Sequence, residues 1–191
     1  STPQTFIHRL MLRYSRQGKC VVRLKGGDPC IFGRGSEEAD WLAQHGVEVE
    51  LVNGITAGLA GATSCGIPLT LRGIARGVTL VTAHTEDDSS LNWAALAQGG
   101  TTLVVYMGVA KLGDVRDSLL AGGMRADMPV AMIENASLPQ QRTCYSSLQG
   151  MQQAALEFEL KSPAILLIGE VACRSAAQSI EPEWLRAAGQ P

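Results

Sequence analysis

The stretch "TTLVVYMGVAKLGDVRDSLLAGGMRADMPVAMIEN" (101–135) decides the predicted fold class. Its first part, 101–107, is a short apolar run rich in β-formers and favours a buried strand. Four apolar residues then recur at helical spacing before the stop at Gly122-Gly123: Leu112, Val115, Leu119 and Leu120. A second apolar run follows at 129–135. A strand, a helix and another strand in succession predict an α/β fold with helices packed on a sheet.

The same alternation continues on both sides of this stretch. Further strands are predicted at 20–24, 47–52, 78–83, 142–148 and 164–171. Helices are predicted from Thr2-Pro3 to Gly18, from Ser36 to Gly46, and at 54–66, 92–98, 110–121 and 151–159. The looser stretch 67–77 is interpreted as a linker, so the predicted domains are residues 1–74 and 75–191.

The predicted first domain is short of strands. It contains only two, at 20–24 and 47–52, whereas the second contains four or five. A two-stranded sheet is too small to be stable alone. Either strands from upstream have been lost or another chain completes the sheet.

Composition excludes several classes of protein. The formal net charge of −2 does not point to nucleic acid or to an anionic membrane. No apolar run approaches the roughly 18 residues that span a bilayer. The five cysteines form no C-x-x-C pair, and the three histidines lack metal-ligand spacing. We therefore expect no metal, no disulfide framework and a reducing, cytoplasmic location.

The segment "VVRLKGGDPCIFGRGSEEA" (21–39) predicts a binding loop after a strand. In α/β folds ligands bind beyond the carboxyl ends of strands, and Gly26-Gly27 would let a ligand approach the backbone closely. Asp28 could accept hydrogen bonds from an ammonium group or a ribose hydroxyl. The same residues also suit a simple tight turn.

Three further positions have a functional and a structural interpretation. Arg34 lies between glycines, where its guanidinium can bind carboxylates bidentately or form a surface ion pair with a glutamate one turn on. "GITA" (54–57) places backbone N–H groups at a helix start, for a ligand or for tight packing. Met107 ends a strand, where it can pack on a planar ring or a sulfonium methyl, or serve the core.

Six segments in order resemble the uroporphyrinogen-III C-methyltransferases of the tetrapyrrole methylase family: "VVRLKGGDPCIFGRGSEE", "GITAGLAGATSCGIPLT", "VTLVTAH", "VVYMGV", "IENAS" and "SPAILLIGEV". The resemblance implies two α/β domains with mixed sheets flanked by helices, and a homodimer. It implies that S-adenosylmethionine binds between the domains and leaves as S-adenosylhomocysteine. The implied reaction methylates uroporphyrinogen III at C2 and C7 to give precorrin-2, for siroheme, cobalamin and haem d1.

The resemblance also assigns residues. The implied cofactor contacts are Gly26, Gly27, Asp28, Ile31, Thr56, Ala57, Met107, Ala136 and Ala164. Arg34 would face the polycarboxylate substrate and is the candidate catalytic residue, for carboxylate binding and proton handling. The chain departs from the family pattern at Cys30, where an aromatic residue is usual, at Ser36 in place of glycine, and at Leu71 in place of histidine.

Family members begin with a strand and a glycine- and proline-rich loop that holds the cofactor, then a segment carrying an acid and a lysine. This chain opens in the helix before "CVVRL". We therefore expect an N-terminally truncated methyltransferase with an incomplete first domain. The alternatives are a non-catalytic domain that folds or dimerises without turnover, and a sister methylase acting on a later precorrin or on a protein side chain.

Overall fold

The computed structural model describes residues 2–84 and 91–173. Contacts divide the chain into a first unit, residues 1–56, and a second unit, residues 57–191. The stretch 67–77 falls in the second unit, where an isolated bridge joins Leu71 to Ala75. The domain limits 1–74 and 75–191 stay a prediction, because a division by contacts does not measure independent folding.

The second unit contains a mixed five-stranded sheet flanked by helices. Its strands are β1 (Val78–Thr82), β2 (Thr102–Tyr106), β3 (Pro129–Glu134), β4 (Arg142–Ser147) and β5 (Ala164–Ile168). Its helices are α3 (Ala57–Ser64), α4 (Trp93–Gln98), α5 (Leu112–Ala121) and α6 (Met151–Glu157). The strand order is β1-β2-β5-β3-β4, in which β1 and β2 are parallel and the other pairs are antiparallel. The predicted α/β class and these nine elements are confirmed.

The two faces of this sheet carry different layers. Successive side chains of a strand point to opposite faces. Leu103 and Val105 of β2 therefore share one face, where they join a buried cluster with α5 and α6. Val104 points to the other face, toward α3. Every residue of β2 and of β5 is buried, because helices cover these central strands on both sides.

The first unit contains two helices, α1 (Gln4–Ser15) and α2 (Gly35–Gln44). A small core joins them: Met11, Leu12 and Leu42 are buried, with Trp41 and Val47 packed at the edge. The sequence predicts Thr2 and Ser36 as the N-caps of these helices, and both predictions were wrong. Pro3 occupies the N-cap of α1 and Arg34 that of α2, where its left-handed backbone starts the helix one residue before Ser36.

The predicted strands at 20–24 and 47–52 are also wrong. Within the described residues the named strands all lie between 78 and 168, and neither segment belongs to a ladder. Both segments line a cavity of about 890 Å³ in the first unit. Val22, Leu24 and Val52 are more than two-thirds exposed. A β-pattern becomes a strand only where a partner satisfies its backbone groups, and the sequence pattern does not reveal whether one is present.

We expect the backbone amides of residues 20–24 and 48–52 to exchange hydrogen rapidly, as in a locally open segment. The amides of β2 and β5 should exchange far more slowly, since each bonds within a buried ladder. Hydrogen–deuterium exchange read by mass spectrometry provides both rates in one experiment. Equal protection of the two sets would show that the first unit has a ladder after all.

Glu134, the last residue of β3, is a buried carboxylate in the second unit. One of its oxygens accepts hydrogen bonds from the Lys161 backbone N–H and from Arg142, each at 2.8 Å. The Lys161 N–H, followed by the Arg142 guanidinium, holds the pKa of Glu134 below its ordinary value. The folded state therefore binds a proton at Glu134 less readily than the unfolded state does.

A lowered pKa gives a stabilisation that is complete above the ordinary glutamate pKa, about 4.3, and disappears as the pH falls through the folded value. The melting temperature should therefore fall more on acidification in the wild type than in Glu134→Gln. Differential scanning fluorimetry from neutral to acidic pH measures this difference. Glu157→Gln, at an exposed position on α6, is the control and should follow the wild type. Parallel curves for wild type and Glu134→Gln would contradict the expectation.

Candidate functional site

Asp28 joins two loops of the first unit that sequence analysis assigned to cofactor binding. One carboxylate oxygen accepts a hydrogen bond from the Cys30 N–H at 2.8 Å, and the other accepts from the Gly54 N–H at 3.2 Å. The bond to Cys30 is the one expected if this motif forms a tight turn. The bond to Gly54 connects residues 26 positions apart in the chain. Each carboxylate oxygen has a second lone pair, so Asp28 can still accept from a ligand.

Glycine is needed where these two loops meet. A Cβ on Gly54 would lie 2.9 Å from the Gly27 carbonyl oxygen, so the two backbones approach closely. A Cβ on Gly26, in contrast, would meet no atom within 4 Å. The backbone at Gly26, two residues before Asp28, therefore borders open space. This is the room that a ligand approaching Gly26-Gly27 would need.

Arg34 forms a surface ion pair, which is one of the two roles that the sequence predicted for it. Its guanidinium donates from Nε at 2.9 Å and from a terminal nitrogen at 2.8 Å to the same Glu37 oxygen, and both side chains are about half exposed. An exposed pair of this kind contributes little to stability, so it can be exchanged for a substrate carboxylate at small cost. The pairing is compatible with the predicted role of Arg34 and does not test it.

An ion pair between Lys25 and the buried Glu38, which no sequence motif predicted, holds this loop. Lys25 donates at 2.7 Å to Glu38 and at 2.6 Å to the Gly33 carbonyl oxygen, so it ties both ends of the loop to α2. Burial alone would raise the pKa of Glu38, but the hydrogen bonds from Lys25 and Gln4 and the positive charges of Lys25 and Arg23 together hold the pKa below its ordinary value. The sequence signals that could have predicted this ion pair are a lysine at the end of a predicted strand and a glutamate in the next helix.

The predicted residues of the second unit gather at one edge of its sheet. Since β2 and β3 both run antiparallel to β5, their carboxyl ends and the amino end of β5 lie at the same edge. Met107 follows β2, Ala136 lies two residues beyond β3, and Ala164 begins β5 opposite Glu134. Helix α3, which starts at Ala57, packs onto this edge, where a Cβ on Gly61 would lie 3.0 Å from Cβ of Ala136.

Five of the six non-glycine residues with a positive φ in the described part of the chain lie in these same loops, and the sixth, Glu159 (53°), follows α6. The five are Phe32 (51°) and Arg34 (56°) in the first unit, and Met107 (54°), Asn135 (50°) and Ser137 (67°) in the second. Such conformations cost on the order of 1–3 kcal/mol each and are retained mainly at functional sites. The observed strain therefore supports a functional role for the loops that follow β2 and β3 and for the loop before α2.

The described residues contain neither a group of side chains suited to a metal ion nor a helix suited to a membrane span. Among residues 2–84 and 91–173, no group of three or more His, Cys, Asp or Glu side chains is placed to hold a metal ion. In the same part of the chain, none of the helices combines the length and the apolar character that crossing a bilayer requires.

Comparison with known proteins places the chain in a family. The family model of the tetrapyrrole (corrin/porphyrin) methylases matches residues 2–152. The chain belongs to the tetrapyrrole methylase family. The match includes Gly26, Asp28, Arg34, Met107 and the other predicted site residues except Ala164.

Two tetrapyrrole methylases from pseudomonads are strongly similar to this one. Both are named uroporphyrinogen-III C-methyltransferase. That of Pseudomonas aeruginosa is 68% identical over 94% of this chain and 74% of its own length. That of Pseudomonas fluorescens is 69% identical over 94% of this chain and 73% of its own length.

A solved tetrapyrrole methylase structure has the same fold. It is the uroporphyrin-III C-methyltransferase of Thermus thermophilus complexed with S-adenyl homocysteine. It is 40% identical to this chain, with a TM-score of 0.77, and the match covers 89% of this chain and 74% of that one. The fold predicted from the resemblance is thereby confirmed.

Each unit of this tetrapyrrole methylase, taken by itself, offers groups that suit one part of an S-adenosyl ligand. The first unit offers a carboxylate with spare lone pairs, Asp28, and open backbone at Gly26, which suit an ammonium group or ribose hydroxyls. The second unit offers the half-exposed thioether of Met107 beside strained backbone, which suits an adenine ring. None of these groups requires a metal ion for such contacts.

Proposed function

We propose that this protein methylates uroporphyrinogen III at C2 and then C7, using S-adenosylmethionine, to give precorrin-2. The observation that carries the proposal is its 68–69% identity to two enzymes named for this activity, over 94% of the chain. The donor set of the loops, with one carboxylate, accessible glycine backbone and a thioether, suits the cofactor. The product would serve siroheme, cobalamin or haem d1 synthesis.

The proposed cofactor contacts divide by chemistry. Gly26, Gly27, Asp28 and Ile31 bind the methionine and ribose portions, with Thr56 and Ala57 contributing from the next loop. Met107, Ala136 and Ala164 line the adenine. Bound S-adenosylmethionine supplies an activated methyl group whose leaving group is a neutral thioether. The residues of the chain therefore act by holding the reactants in line and excluding unproductive geometries.

Arg34 is the proposed substrate residue. Uroporphyrinogen carries eight carboxylates, and a guanidinium can bind one of them bidentately. In the structure the guanidinium pairs with the exposed Glu37 carboxylate, so a substrate carboxylate would replace a partner of the same chemistry. Arg34 would in this way orient the pyrrole carbon that is methylated. Proton handling is the second role proposed for it.

Two further parts of the proposal concern the working protein. It acts as a homodimer, and it works in the cytoplasm, where thiols stay reduced. The five free cysteines, including the exposed Cys20 and Cys30, are compatible with such a compartment.

The test is a methyl-transfer assay under anaerobic conditions with S-adenosylmethionine and uroporphyrinogen III. We expect a product carrying two added methyl groups, detected by mass spectrometry, and competition by S-adenosylhomocysteine. Methylation of a later precorrin in preference to uroporphyrinogen III would favour the sister methylase. Absence of both turnover and S-adenosylhomocysteine binding in a folded protein would favour the non-catalytic alternative.

A further inference from the structure

Tyr106, the last residue of β2, caps the helix α3 by bonding to a residue 48 positions earlier in the chain. Its side chain is only 7% exposed, and its phenolic oxygen accepts a hydrogen bond from the Gly58 N–H at 2.9 Å. Gly58 is the second residue of α3. The first N–H groups of a helix have no partner within the helix, so Tyr106 satisfies a donor that α3 itself cannot.

Glycine at position 58 brings α3 and β2 into direct contact. A Cβ at this position would overlap the Val104 side chain and would lie 2.6 Å from the Tyr106 hydroxyl. The first turn of α3 therefore lies against β2 as closely as backbone allows. Packing sets the distance between α3 and β2. The hydrogen bond sets the orientation of α3 relative to β2, because it needs an aligned donor and acceptor.

Tyr106 stands between two of the proposed cofactor contacts. Met107 follows it directly and is half exposed, with a left-handed backbone. Ala57 directly precedes Gly58, which donates to Tyr106. We propose that Tyr106 is a positioning residue, whose hydroxyl fixes the spacing between the Ala57 and Met107 backbones and thereby tunes the affinity for the S-adenosyl ligand. This inference rests on the proposed function.

The ring and the hydroxyl of Tyr106 have separable roles. Tyr106→Phe keeps the ring that fills the space beside Gly58 and removes the hydroxyl, which is the acceptor of this hydrogen bond. The Gly58 N–H is then a buried donor without this partner, a loss that shifts α3 relative to β2 or loosens its first turn. We expect S-adenosylhomocysteine to bind about tenfold more weakly, because part of the binding free energy must then restore the spacing between Ala57 and Met107.

The experiment is calorimetric titration with S-adenosylhomocysteine of the wild type, Tyr106→Phe and the control Tyr145→Phe. Tyr145 lies on the edge strand β4 and is 45% exposed. We expect weaker binding in Tyr106→Phe alone, with faster exchange of the Gly58 amide. A merely structural role would lower the melting temperature of Tyr106→Phe and leave its dissociation constant, measured well below that temperature, at the wild-type value.

The outcomes separate this inference from the function on which it rests. Wild-type affinity in Tyr106→Phe, or equal weakening in both variants, would overturn the role of Tyr106 and leave the function standing. A folded wild type that binds no S-adenosylhomocysteine would overturn both. If Tyr106→Phe does not fold, hydrogen exchange in the wild type tests the inference instead. S-adenosylhomocysteine should then slow exchange of the Gly58 and Met107 amides together. No change in either amide would overturn the inference.

Discussion

Replacement of Leu166 with alanine is expected to lower the free energy of unfolding by about 2–5 kcal/mol. Leu166 is fully buried at the centre of β5, with Val105 of β2 on one side and Met132 of β3 on the other. It belongs to the cluster that fastens α5 and α6 to the sheet. Neighbours held in two ladders cannot move in to fill the cavity that the substitution leaves.

Urea denaturation followed by circular dichroism measures the effect of Leu166→Ala, with the slope of the transition checked for constancy. Leu156→Ala is the matched control, because Leu156 lies on α6 and is 69% exposed. The control should change the free energy of unfolding by less than about 0.5 kcal/mol. Similar losses in the two variants would mean that the centre of β5 is not the core of the second unit.

Replacement of Asp28 with alanine should weaken S-adenosylhomocysteine binding by roughly 10- to 100-fold. The proposed ligand contact is a charge-assisted hydrogen bond, worth about 1.5–3 kcal/mol. The variant also releases the Cys30 and Gly54 N–H groups that the carboxylate holds, so Gly54 would no longer be fastened to the loop at Gly27. Both changes act in the same direction.

Isothermal titration with Asp28→Asn separates the two contributions to binding. The asparagine side chain keeps one acceptor oxygen and no charge, so its affinity should lie between those of alanine and wild type. Asp40→Ala, on the exposed side of α2, is the control and should bind like the wild type. If Asp28→Ala retains wild-type affinity, Asp28 is a turn residue and the proposed contact is wrong.

Periodicity in the sequence predicted the second unit almost completely. The apolar stripe Leu112, Val115 and Leu119 is buried along α5, and the short apolar run at 164–171 contains the fully buried β5. These signals are local and strong, because burial on one face or on both dictates which residues are apolar. Strand order and direction were not predictable, since they depend on which strands pair across the chain.

The first unit shows where such local signals fail. Residues 20–24 and 47–52 have the composition of strands. A strand also needs a neighbouring segment that accepts and donates its backbone hydrogen bonds, and these two segments belong to no ladder. The cap at Arg34 was missed because a left-handed arginine is rare. The site residues were named through a family resemblance, whereas Tyr106 and Glu38 emerged only when the fold brought distant segments together.

The open segments of the first unit have a consequence for how the protein behaves in concentrated solution. A backbone row that is not paired in its own unit, flanked by exposed side chains such as Val22, Leu24 and Val52, is a template for a strand from another molecule. Self-association should therefore start from the first unit, while the second unit stays native. Binding measurements at low protein concentration therefore report on protein that has not associated through these open segments.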